Sequence, residues 1–129
     1  MKEWLIVGFG GMLGSIGRFA CLRAFAAIGP DWIPISTVIV NLIGCLGIGY
    51  LAQWSLNENI SNTWYVVGLR VGVLGGLTTF SSFMLEVVRI WQADRNGYLI
   101  LLVISHLGLG LAMLLLGSYL AGIRAPETP

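Results

Sequence analysis

The chain has 129 residues, of which 57% are hydrophobic and 10% charged, with a formal net charge of +1. Soluble domains carry about 25% charged residues, so this balance excludes an ordinary soluble fold and points to one membrane-embedded domain. No basic cluster is long enough to grip phosphates, which argues against nucleic acid as a partner.

A helix that crosses a bilayer needs about 20 mostly apolar residues. Four stretches meet that need, at roughly 4–28, 34–55, 63–91 and 98–122. The chain therefore reads as an all-α membrane protein of four transmembrane helices. The first stretch starts at Trp4, behind Lys2, and runs on to Arg18 with no small-residue cleavage pattern. It is expected to be a permanent span rather than a signal peptide. Arg18 follows Gly14 and Gly17 in this span. An unpaired arginine in lipid is costly. It either faces a watery vestibule and gathers anions there, or snorkels to the headgroups. Gly10 and Gly14, Gly11 and Ser15, and later Gly68 and Gly72 have the small-xxx-small spacing that brings helices close.

The second span has no charged side chain over residues 32–57, yet Asn41 lies well inside it. An amide in lipid must find a partner. Asn41 is either a donor to an anion or one half of a helix-to-helix hydrogen bond.

The third span holds Gly75-Gly76-Leu77-Thr78-Thr79-Phe80-Ser81-Ser82-Phe83 between Arg70 and Glu86. Glycines weaken a helix, and hydroxyls can satisfy backbone groups that a break sets free. A break is expected here. Irregular backbone at membrane depth survives only inside protein or beside a watery cavity. A helix restarting after the break puts Thr79, Ser82, Phe83 and Glu86 on one face, with Phe80 beside Phe83. Hydroxyls can donate to an anion, and phenyl rings carry a weakly positive edge. Ordinary packing is the competing account of both phenylalanines. Carbonyl oxygens at a break lose their N–H partners. Two breaks meeting on a two-fold axis could give a cation four such ligands.

The fourth span is uncharged over 96–123 and contains Ser105 and His106. Ser105 could join a polar lining, and a lone histidine is usually a hydrogen-bonded bundle residue. Cys21 and Cys45 lie in apolar stretches and read as small buried hydrophobes. Gly29-Pro30-Asp31, residues 55–62 and Asp94-Arg95-Asn96-Gly97 form the connections, and the tail beyond Gly122 is expected to fray. Trp4, Trp32, Trp54, Trp64 and Trp91 fall at span ends, with Tyr98 and Tyr119 flanking the fourth, as interfacial aromatics do.

Four spans put both termini on one side. That side collects Lys2, Arg70 and Arg124, against Arg18, Arg23, Arg89 and Arg95 on the other. Orientation follows the Lys/Arg excess, and there is almost none. On charge alone two outcomes stand level: the chain inserts both ways round, so that opposite copies pair about an axis in the membrane plane, or one orientation wins through other signals. No carboxylate pair, and no serine with a base, suggests an enzyme.

Three segments together resemble the small, dual-topology fluoride channels, the Fluc or CrcB-like family. They are Gly10 to Arg18, Thr37 to Gly44 with Asn41, and Gly75 to Phe83. The resemblance implies an antiparallel homodimer with two pores in a bacterial inner membrane, releasing fluoride passively. It implies a structural sodium ion held by main-chain oxygens of Gly75 and Thr78. It implies fluoride contacts from Asn41, Phe80 and Phe83, a polar track through Thr79, Ser81, Ser82 and Glu86, and Arg18 at the vestibule, with Ser105 as a further lining residue. The family often has Thr where this chain has Ser82. Small multidrug antiporters share the size, but residues 4–17 lack the deep carboxylate that proton coupling needs. A subunit that only packs a partner would not need a broken, hydroxyl-rich helix.

Overall fold

The computed structural model describes residues 1–26 and 34–122. Four helices are long and apolar enough to cross a membrane: Lys2–Phe25, Ile35–Asn57, Trp64–Gln92 and Asn96–Leu120. They are called the first to fourth spans below. The expected turn at Gly29-Pro30-Asp31, Trp32, and the tail with Arg124 lie outside the described residues.

Lipid gives helices no hydrophobic reason to associate, so close backbone packing must supply it. Glycines do this in two pairs of spans. A Cβ on Gly10 would sit 2.7 Å from the Gly68 carbonyl oxygen, and one on Gly14 would collide with that of Val73. These contacts hold the first span against the leading half of the third, so the small-residue spacings of both act within one chain. Cβ atoms on Gly49 and Gly117 would likewise collide with Leu114 and Leu46 carbonyls, joining the second span to the fourth. The Asn57 amide donates to the carbonyls of Ala121 (3.0 Å) and Gly122 (2.7 Å), capping the end of the fourth span.

The third span is broken as expected, but not where its glycines stand. Gly75–Leu77 is helical. Gly76 is needed for approach: a Cβ there would lie 2.6 Å from Gly11 O. The chain leaves the helix at Thr78 (φ −79, ψ 154) and Thr79 (φ −152, ψ 121) and re-enters it over Phe80–Gln92. Two β-branched threonines in extended geometry make the break. Residues Gly68–Leu74 ahead of it and Ser105–Leu109 in the fourth span are wound as π-helix, a form often found at functional sites.

Among the described residues the buried apolar side chains are few: Val40, Val66 and a cluster of Phe83, Ile90 and Leu102, with Val38, Val87, Leu99 and Val103 packed around that cluster. Large apolar side chains such as Phe9, Phe19, Leu111 and Tyr119 are exposed. Such an outer surface suits acyl chains, and this is a multi-pass membrane protein.

Candidate functional site

The site is built on the break. Thr79 caps the restarted helix, its Oγ1 accepting from the Ser82 N–H at 3.2 Å. Across from it, Asn41 closes a two-bond ring on the Thr79 peptide groups. Asn41 Nδ2 donates to Thr79 O at 3.0 Å, and the Thr79 N–H donates to Asn41 Oδ1 at 2.8 Å. Asn41 thus makes a helix-to-helix bond. One of its two amide hydrogens goes to Thr79 O, which leaves the other for a further acceptor.

These bonds have a consequence for the carbonyls. In an unbroken helix the Thr79 N–H would serve Gly75 O and the Ser82 N–H would serve Thr78 O. Both donors are instead turned to side-chain oxygens, on Asn41 and Thr79. The carbonyls expected to hold a cation, those of Gly75 and Thr78, are thus among the ones that the break deprives of their helical donors. Gly75 is exposed, so its backbone is reachable from outside the chain.

The hydroxyls form one connected cluster. Thr79 Oγ1 donates to Ser82 Oγ at 3.1 Å and lies 3.2 Å from Ser81 Oγ. The expected face is present: Thr79 and Phe83 are buried and Ser82 and Glu86 half-buried, while Phe80 and Ser81 are exposed. The Phe80 and Phe83 rings are 5.7 Å apart at 58°. They differ in support, since Phe83 is 3% exposed and Phe80 is 69% exposed. A cavity of about 320 Å³ is lined by Asn41, Thr78, Thr79, both phenylalanines and His106, among others.

On the other side of Thr79, Arg18, Ser36, Thr37 and Ser82 help line a cleft of about 20 Å³. That is room for roughly one water-sized particle. Arg18 therefore stands at the hydroxyl cluster rather than among headgroups alone. Glu86 enters the site through Thr37, whose hydroxyl donates to Glu86 Oε1. Ser105 spends its hydroxyl on the Leu102 carbonyl at 2.8 Å and lines a separate, apolar groove with Ile35, Val38 and Tyr98. It is not brought to the break.

Sequence reasoning passed over Thr37, and it read His106 only as a hydrogen-bonded bundle residue, which its Nδ1 contact with the Leu102 carbonyl bears out, without its place beside Phe83. Thr37 is buried and stands one helical turn before Asn41, so i, i+4 spacing was the available signal. His106 stacks on Phe83 with centroids 4.2 Å apart and planes 25° apart. No local pattern announces a contact between residues so far apart in the chain. Among the described residues, Glu86 Oε2 and His106 Nε2 are the buried side-chain polar atoms without a partner.

Residues 5–118 match the family model described as CrcB-like protein, Camphor Resistance (CrcB). The chain belongs to the CrcB family. Relatives include a protein of Azobacteroides pseudotrichonymphae, 36% identical over 117 residues, or 91% of this chain and 94% of that one. Another, from Dehalococcoides mccartyi, is 34% identical over 95% of both chains. A third, from Caulobacter vibrioides, is 42% identical over 75% of this chain and 77% of its own. All three are named fluoride-specific ion channel FluC. The match to the CrcB family takes in all three sequence segments and the break itself.

Proposed function

We propose that this chain is a fluoride channel and not an enzyme. Two copies inserted in opposite senses pair in a bacterial inner membrane and form two pores, through which fluoride leaves the cytoplasm passively. The observation that carries this reading is the Asn41 bridge to the broken backbone at Thr79. It leaves an amide hydrogen and a hydroxyl cluster beside two aromatic rings, in a chain whose relatives carry the fluoride-channel name.

Fluoride is small and holds water tightly, so one hydrogen bond cannot replace its hydration shell. Several weak donors in sequence can, provided each also lets go. Asn41, Ser81, Ser82 and the edges of Phe80 and Phe83 supply such steps, with Arg18 drawing the anion in and Glu86 and Thr37 further along. Gly75 O and Thr78 O fit a hard cation, since their helical donors are diverted. Two copies meeting there would bring four oxygens, a set suited to sodium. When bound, that ion supplies a fixed positive charge that raises the local potential for an anion. The near-equal Lys/Arg counts of the two sides support opposite insertion.

The test is release from liposomes loaded with both halides, followed by ion-selective electrodes with potassium counterflow and no proton gradient. Fluoride should escape while chloride stays. Release of both halides alike, or exchange only with protons, would overturn the proposal.

A further inference from the structure

His106 is on none of the functional segments, yet its ring covers the face of Phe83 at 4.2 Å and 25°. Its own orientation is fixed from below. Nδ1 lies 3.0 Å from the Leu102 carbonyl oxygen. A carbonyl only accepts, so Nδ1 carries the hydrogen. In the neutral ring Nε2 is then a bare lone pair, and it is buried without a partner. A lone pair offers nothing to an anion. The imidazole therefore cannot serve the pathway as a direct donor in this state, although it borders the same cavity as Asn41 and Phe80.

What it can do is hold Phe83. Stacked rings keep their faces occupied and turn their edges outward, and the edge is the positive part of the phenyl quadrupole. Phe83 packs against Ile90 and Leu102 in the core cluster. The His106 ring fixes the remaining freedom, the tilt about the Cβ–Cγ axis. Phe80 meets Phe83 only obliquely, at 5.7 Å and 58°, and is largely exposed in the single chain.

We infer that His106 is a positioning residue for the anion pathway, stacking on Phe83 so that the phenyl edge is presented to the passing ion. This deepens the channel reading and rests on it. His106→Ala, His106→Phe and the unaltered protein would be compared in two assays. In the first, fluoride release from liposomes should fall roughly three- to tenfold in His106→Ala, the range that one lost aromatic pair carries. His106→Phe restores a ring without Nδ1 or Nε2 and should recover most of the rate. In the second, 4-fluorophenylalanine is placed at position 83 and its ¹⁹F shift is read in detergent. The shift should move in His106→Ala, and it tests the stack whether or not any ion is conducted.

Equal release by His106→Ala and the unaltered protein would overturn the inference. So would a His106→Phe protein that folds and is as slow as His106→Ala, because the imidazole nitrogens rather than the stack would then matter. An unmoved ¹⁹F shift in His106→Ala would remove the stack itself. If the unaltered protein released no fluoride at all, the channel reading would fall instead, and a moved ¹⁹F shift would keep the stack as a structural contact only.

Discussion

Replacing Asn41 tests the site at its hinge. Asn41→Ala removes the donor to Thr79 O (3.0 Å) and the acceptor of the Thr79 N–H (2.8 Å) together. Thr79 is 8% exposed, so water replaces little of what is lost. An unsatisfied buried polar group costs about 1–3 kcal/mol. Two of them bring the expected loss to roughly 2–6 kcal/mol, a large share of the stability of a small domain. Asn41→Asp divides the effect. It keeps an acceptor for the Thr79 N–H but sets a carboxylate oxygen against Thr79 O and a negative charge in the anion path. It should be less destabilised than Asn41→Ala and still conduct no fluoride. Tryptophan fluorescence during heating in detergent reads the first quantity, and fluoride release from liposomes reads the second. An Asn41→Ala protein that melts and conducts like the unaltered one would refute the bridge as the support of the break.

Gly14→Ala should destabilise by about 1–3 kcal/mol, as overpacking does, since its Cβ would collide with Val73 O. Gly8→Ala, with nothing within 4 Å, should cost nothing and gain up to about 1 kcal/mol of helix propensity; thermal melting of the pair checks both. Phe83→Ile and Phe80→Ile should each lower fluoride release about tenfold or more while the particle size on gel filtration is unchanged, as loss of a ring edge requires; unaltered release in both would remove the ring-edge contacts. Purification with N-methylglucamine in place of sodium should impair release, and readdition of sodium should restore it; full activity with no sodium detected would exclude the central cation. In a Cys21→Ser, Cys45→Ser background, Glu58→Cys in sealed vesicles should react only about half-way with an impermeant maleimide, while complete or absent labelling would mean one orientation.

The four spans were legible because lipid imposes length and composition directly, and the uncharged runs of the second and fourth spans leave no ambiguity. The break was legible to its neighbourhood and misread in its cause. Gly75 and Gly76 looked like the weak point, whereas Gly76 is spent on contact with Gly11 and the two threonines open the helix. Helix propensity is a local quantity, and a glycine at a tight crossing is set by a partner span that one segment cannot reveal. For the same reason Asn41 could be recognised as needing a partner, but not assigned one. The Thr37–Glu86 and Phe83–His106 contacts join residues 49 and 23 apart, so nothing in either neighbourhood encodes them. Ser105 was drawn toward the site by its polarity, and its hydroxyl is taken by its own helix.

The most direct measurement is the reversal potential of the purified protein in a planar bilayer, with fluoride graded across the membrane and chloride as the other anion. A potential that follows the fluoride gradient and ignores chloride and pH is the predicted result. A potential that tracks chloride or protons, or the absence of any current from folded protein, would contradict it.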